Sequence, residues 1–239
     1  MSRLTVRPDA RAAAEHAAGE IARALTEALE QRGVAHFALS GGNTPRPAYE
    51  TLAALLDNWS AVELWYCDER CVAPDHPDST HLLVSEALLA PIAARGAPAP
   101  REHRVRGEIP PEEAAKLYAE ELRACVGASG PNILDVALLG IGEDGHIASL
   151  FPGHPQVEDE SGALCLPVRD SPKPPPERVT LTIPVLRATR SPLLLVAGAA
   201  KAPALAAALR GPDPQLPASL VVGERMHIVA DSAAAGQFS

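Results

Sequence analysis

The strongest constraint on this chain is a succession of short apolar runs, each followed by a stretch of helical periodicity. Leu134–Leu139 is almost continuously apolar, the pattern of a strand buried on both faces of a parallel sheet. Val34–Leu39, Val62–Cys67, Val179–Ile183, Leu193–Ala197 and His227–Ala230 read as further strands, and Leu4–Arg7 as an edge strand. Helices are expected over Ala10–Gln31, Pro47–Asp57, Ser79–Leu89, Glu112–Val126 and Lys201–Leu209. In the first of these Ile21, Leu25 and Leu29 fall on one face, and Gly33 ends it. Arg95–Pro111 is broken by Gly and Pro and reads as a loop or edge segment. This alternation predicts an α/β fold with an open, mostly parallel sheet, helices on both faces, in the Rossmann-like manner. Ligands of such sheets bind outside the carboxyl ends of the strands.

The 239 residues suffice for one large domain, and no linker or internal repeat divides them, so residues 1–239 are expected to form one α/β domain. With 46% hydrophobic and 21% charged residues, global disorder is excluded. Only 3% of residues are aromatic, so Ala, Leu, Val and Ile must build the core. The 24 prolines are about twice the usual ~5% share. Lys116, Lys173 and Lys201 are the only lysines among 21 basic residues, a bias in keeping with a GC-rich bacterial genome. The net charge of −9 and the absence of a basic run argue against nucleic acid as a partner. No apolar stretch approaches the ~20 residues that span a bilayer, and Met1–Asp9 lacks the features of a signal peptide. A cytoplasmic location is expected. Cys67, Cys71, Cys125 and Cys165 form no framework. Cys67 and Cys71 have the spacing of half a zinc site, but no second pair completes it, so structural or free thiols are expected.

Four constellations carry candidate chemistry. Ser40-Gly41-Gly42-Asn43-Thr44-Pro45 follows a strand and opens a helix. Gly41 and Gly42 permit close approach of backbone to a ligand, Asn43 or Thr44 could cap the helix, and free N–H groups there attract phosphate. A tight turn without ligand is the alternative, and the loop is neither a dinucleotide fingerprint nor a Walker loop. Cys67-Asp68-Glu69-Arg70 ends the Val62 strand, where Arg70 could hold a phosphate or carboxylate; a solvated loop with an internal ion pair is the alternative. The segment from Gly140 to Gly153 places Gly140, Gly142 and Gly145 ahead of His146, after the most apolar strand. A neutral imidazole there can take a proton from water, and Asp144 can orient the ring or support its charged form. Lys201, at the strand-to-helix junction Gly198-Ala199-Ala200-Lys201, suits a phosphate or a solvated helix start. Arg178 is a further cation candidate. Ser171-Pro172-Lys173-Pro174-Pro175-Pro176 reads as an ordered loop over a site.

Taken together, Ser40–Pro45, Asp68-Glu69-Arg70, His76-Pro77-Asp78-Ser79, Gly140–Gly153 and Ser171–Thr182 resemble the 6-phosphogluconolactonase family, in the family's order and over most of the chain. Ser171-Pro172-Lys173-Pro174-Pro175-Pro176-Glu177-Arg178 is particularly specific. The resemblance implies a fold of the sugar-phosphate isomerase type, shared with glucosamine-6-phosphate isomerases. It also implies hydrolysis of 6-phospho-D-glucono-1,5-lactone to 6-phosphogluconate in the pentose phosphate pathway. Asn43 departs from the commoner Ser, and Thr80-His81 stands where Asn and an aromatic are usual.

The combined reading makes His146 a general base on water, supported by Asp144, with Arg70 and loop N–H groups holding substrate and oxyanion. Gly41, Gly42, Asn43, Thr44, Asp68, Arg178 and Lys201 are the remaining substrate- or phosphate-binding candidates. No metal or organic cofactor is expected, and the assembly is expected to be a monomer or weak homo-oligomer. No Gly-x-Ser-x-Gly elbow supports a serine-esterase route. An isomerase or deaminase of the same fold is disfavoured because Phe151 takes the place of its ring-opening carboxylate and Arg70 that of a tyrosine. A sugar-phosphate sensor is disfavoured because nothing resembles a helix-turn-helix.

Overall fold

A computed structural model describes residues 2–126 and 134–236. Met1, which opens the Met1–Asp9 segment considered above, lies outside them. The chain runs β1 (Arg3–Arg7), α1 (Ala10–Arg32), β2 (Ala35–Leu39), α2 (Arg46–Leu52), β3 (Val62–Tyr66) and β4 (Asp68–Arg70). Then come α3 (Thr80–Val84), a π-helical turn (Ser85–Leu89), α4 (Ala90–Ala94), β5 (Arg101–Glu102), α5 (Pro111–Val126) and β6 (Val136–Leu139). The remainder comprises β7 (Cys165–Val168), β8 (Arg178–Leu181), α6 (Ile183–Ala188), β9 (Ser191–Val196), α7 (Ala202–Ala208), α8 (Pro217–Val221) and β10 (His227–Asp231).

Seven strands form one sheet in the order β1-β10-β9-β6-β2-β3-β5, parallel throughout. Every residue of β2 and β6 is buried, which requires cover on both faces and explains the unbroken apolar sequence of β6; β2 is apolar but for His36. β1 takes the expected edge position. From β2 the chain proceeds to β3, whereas from β6 it proceeds to β9 on the opposite side. The reversal between these adjacent strands opens a crevice beyond their carboxyl ends.

The expected strand at Val179–Ile183 exists as β8, but it does not join the parallel sheet. It pairs antiparallel with β4 and β7 in a separate three-stranded sheet, with Arg70 opposite Arg178 and Cys165 opposite Leu181. β4 also corrects the reading of Asp68–Arg70 as a solvated loop. One residue, Cys67, separates it from β3. The Cys67 N–H donates to the Leu39 carbonyl and its carbonyl accepts from the Leu181 N–H, both at 2.8 Å. Cys67 is thus the point at which the chain leaves one sheet for the other. All four cysteines are free, and burial raises the Cys67 thiol well above the ordinary range.

Two tyrosines fix helices to strand ends. The Tyr49 hydroxyl accepts from the Ser40 N–H and donates to the Ser40 carbonyl, both at 2.8 Å. Tyr118 of α5 does the same at Tyr66, at 2.6 and 3.1 Å. Each hydroxyl satisfies two backbone groups that the ladder leaves open, groups that buried backbone rarely leaves unpaired. Asp9 caps α1 through the Ala12 N–H, and Gly33, at φ 73°, ends it. α2 ends at Leu52, short of the expected Asp57, and α3 continues through the π turn into α4 beyond the expected Leu89.

Candidate functional site

The crevice between β2 and β6 holds a cavity of about 320 Å³. It is lined by the loop after β2 (Ser40–Pro45), the loop after β6 (Gly140, Ile141, Gly142, His146, Ala148), the end of β9 with Lys201, and Asp68, Arg70 and Arg178 of the small sheet. Gly41, Gly42, Asn43 and Thr44 all line it. Of the site residues expected from sequence, Asp144 alone does not face the cavity; it stands behind His146.

The His146 loop is a tight turn in which the Gly142 N–H donates to the His146 carbonyl at 2.9 Å. The Asp144 carboxylate meets His146 Nδ1 at 2.5 Å and accepts from the His146 N–H at 3.3 Å. An ionised carboxylate can only accept, so Nδ1 carries the proton and Nε2 keeps its lone pair. A Cβ at Gly142 would lie 2.0 Å from His146 Nδ1 and 2.3 Å from Asp144 Oδ1, so glycine alone leaves room for the pair. Phe151, buried, packs on the imidazole with ring centroids 4.7 Å apart. Its burial stabilises by about 1.5–3 kcal/mol and forms the wall behind the imidazole. Ala148 holds φ 50° where the loop turns toward the small sheet, a conformation strained for a residue with a Cβ.

Electrostatics divide the pair. Burial lowers the His146 pKa below its ordinary value against the opposing pull of Asp144. Burial alone would raise the Asp144 carboxyl, but His146 and Lys173 outweigh it and hold it below the ordinary range. Near neutral pH the arrangement is a neutral imidazole beside a carboxylate, suited to removing a proton.

Asp68 accepts from the Ser149 hydroxyl at 2.6 Å, and Arg178 lies 3.9 Å away. The buried Arg178 guanidinium donates to the carbonyls of Lys173, Pro174 and Pro175 at 2.9–3.1 Å. Its Nη1 turns the other way, 3.4 Å from the Ser149 hydroxyl oxygen at the border of the cavity. Arg70 donates to the Asp78 carbonyl at 2.6 Å, and its buried Nε has no partner among the described residues. Lys201 sits 3.9 Å from Glu143. It is positioned by Gly198, at φ 92°, whose N–H donates to Asp231 at 3.0 Å.

Two expectations require correction. Neither Asn43 nor Thr44 caps α2: Pro45 is the N-cap and makes no side-chain cap bond, because the turn runs on to Arg46. Glu69 is not solvated. It is buried and accepts from the Arg70, Thr80 and His81 N–H groups at 2.7–2.8 Å and from the Ser79 hydroxyl at 3.1 Å. It thereby caps the start of α3 from another strand and fixes Arg70 beside the cavity. Its place between Asp68 and Arg70 was the available signal, since strand alternation turns it away from them.

Fold and site define an α/β protein with a cavity at a topological switch point, lined by Arg70, Arg178, Lys201 and a histidine that a carboxylate backs. A family model described as glucosamine-6-phosphate isomerases/6-phosphogluconolactonase matches residues 8–229, and the chain belongs to this family. It is 37% identical over 220 residues to human 6-phosphogluconolactonase, covering 84% of this chain and 83% of that protein. It is 37% identical over 254 residues to 6-phosphogluconolactonase from Streptomyces coelicolor, covering 98% and 94%. A crystal structure of a 6-phosphogluconolactonase from Shewanella baltica matches with a TM-score of 0.83 at 27% identity, covering 97% of this chain and 98% of that one.

Proposed function

We propose that this protein hydrolyses 6-phospho-D-glucono-1,5-lactone to 6-phospho-D-gluconate in the pentose phosphate pathway. The observation that carries the reading is the His146–Asp144 pair seated on Gly142 in a cavity that also presents Arg70 and Lys201. His146 Nε2 removes a proton from water as its oxygen attacks the lactone carbonyl carbon. The carbonyl π electrons move to oxygen, where Arg70 and loop N–H groups stabilise the charge. Collapse of this intermediate breaks the bond to the ring oxygen, to which His146 returns the proton. Asp144 keeps the imidazole in the required tautomer throughout. The loop Gly41–Thr44 and Lys201 take the 6-phosphate, and Asp68 accepts from a sugar hydroxyl. Arg178 holds the proline loop. Acid release from freshly generated lactone, measured above the spontaneous rate, tests the reading; a rate equal to the spontaneous one overturns it.

The same reading treats the whole chain as one domain, working in the cytoplasm as a monomer or weak homo-oligomer on a small molecule. Neither nucleic acid, membrane, metal nor organic cofactor takes part in it. No helix among the described residues is long and apolar enough to cross a membrane.

The phosphate assignment gives one prediction. Lys201→Ala is expected to raise KM about ten- to a hundredfold with kcat little changed, because the contact exists in ground and transition states alike. Unphosphorylated gluconolactone should show no such change; equal losses with both lactones would remove Lys201 from the phosphate site.

Phe151 gives another. An isomerase on this fold needs proton transfer during ring opening, and a buried phenyl ring against His146 supplies none. No ammonia is expected from glucosamine-6-phosphate, and no solvent deuterium at C2 of any sugar phosphate. Enzyme-dependent exchange at C2 would make Asp68 a base and overturn the lactonase reading.

A further inference from the structure

We infer that Lys173 is a positioning residue of this site: its ammonium shares the Asp144 carboxylate with His146, so that the carboxylate orients the imidazole without drawing a proton onto it. The inference rests on the hydrolytic reading given above. Lys173 Nζ lies 3.8 Å from Asp144 Oδ1, the same oxygen that meets His146 Nδ1 at 2.5 Å. Lys173 does not line the cavity, so it acts on the base through Asp144 and not on substrate.

The proline loop is built to hold Lys173 there by its backbone. The Ser171 hydroxyl donates to the Lys173 carbonyl at 2.7 Å and accepts from its N–H at 3.2 Å. Arg178 donates to the same carbonyl at 2.9 Å and to the two following carbonyls. None of these bonds uses the lysine side chain, which is left to reach across to Asp144.

A base and an orienting carboxylate are in conflict. A carboxylate 2.5 Å from Nδ1 fixes the tautomer, but it also favours the imidazolium, which cannot act as a base. A cation on the far side of the carboxylate offsets this second effect and leaves the first. The charged groups facing His146 are Asp144 of its own loop, Asp68 of β4 and Lys173 of the proline loop. Arg178 lies over the Phe151 ring, with its guanidinium carbon 5.7 Å from the centroid, and lines the cavity. Arg70 and Lys201 line the same cavity. Asp144 and Asp68 both favour a proton on His146, and Lys173 opposes them.

The test is the pH dependence of kcat in Lys173→Gln, Lys173→Glu and Lys173→Arg, together with titration of the His146 ring by NMR. In Lys173→Gln the acid limb and the NMR midpoint should both move to higher pH by about half a unit, and in Lys173→Glu by about one. Turnover of Lys173→Gln below the midpoint should fall about threefold, with KM unchanged. Lys173→Arg should restore the wild-type profile. Lys173 is partly exposed, so added salt should move the wild-type limb toward that of Lys173→Gln. An unmoved NMR midpoint in Lys173→Gln and Lys173→Glu overturns the inference, as does a rise in KM with the limb in place, which would make Lys173 a substrate contact. A wild-type protein without lactonase activity but with the NMR shift would retain the inference and overturn the hydrolytic reading.

Discussion

His146→Ala is expected to lower kcat by ~10²–10⁴ with KM little changed, because a general base acts only in the transition state. The wild-type pH profile should carry the same signature. His146 must be neutral to accept a proton, and burial lowers its pKa below the usual imidazole value. Activity should therefore persist below the ordinary midpoint of ~6.5 and be lost only as the pH falls through the lowered one. A variant with near wild-type turnover, or a profile flat through the acid range, would remove His146 from the chemistry. The neighbouring His154 is a useful control. Its ring packs on Phe151 with centroids 5.6 Å apart, and His154 does not line the cavity, so its replacement should leave the acid limb in place.

Gly142→Ala should be nearly as damaging to activity as loss of the base, while leaving the fold standing. The new methyl group would lie 2.0 Å from His146 Nδ1 and 2.3 Å from Asp144 Oδ1, closer than any real contact. Both atoms belong to side chains, so the collision is relieved by moving the pair rather than the backbone. The displaced imidazole loses its partner and its aim, and a shift of about 1 Å can cost ~10²-fold in rate. Thermal unfolding should change little because Gly142 has an ordinary negative φ and lies in a loop. Activity within threefold of wild type would mean that the pair is not used as it stands. Unfolding of the variant would mean that the glycine serves the chain path and not the site.

The parallel sheet and most of the site could be read from sequence because both leave local marks. β6 is apolar at every position, and Gly142, Asp144 and His146 stand within one short segment whose glycines serve a turn and a close approach. The small sheet left no such mark. β4 has three residues and carries Asp, Glu and Arg, and it is a strand only because β8, far along the chain, pairs with it. β7 was missed for the same reason. α6 and α8 are single short helices of six and five residues, too brief for periodicity to register. Glu69 could be seen beside the site but not its task, since its four donors come from Arg70 and from residues beyond the next loop. Arg178 was legible as a cation at the site, but not that three of its hydrogen bonds go to carbonyls of its own loop. That depends on how the prolines fold back, which composition alone does not say.

The passage of the chain through Cys67 makes the site a joint between two sheets. His146, Asp144 and the Gly41–Thr44 loop hang from the large sheet, whereas Asp68, Arg70 and Arg178 hang from the small one. The two groups meet across the cavity, and β3 and β4 join them through this one buried residue, whose backbone bonds to both sides. Ser149, in the loop that carries His146, donates to Asp68 of β4, and Lys173, between β7 and β8, reaches Asp144, so a substitution in the small sheet is felt at His146 as well as across the cavity. The two sheets are, at this site, a single inherited unit.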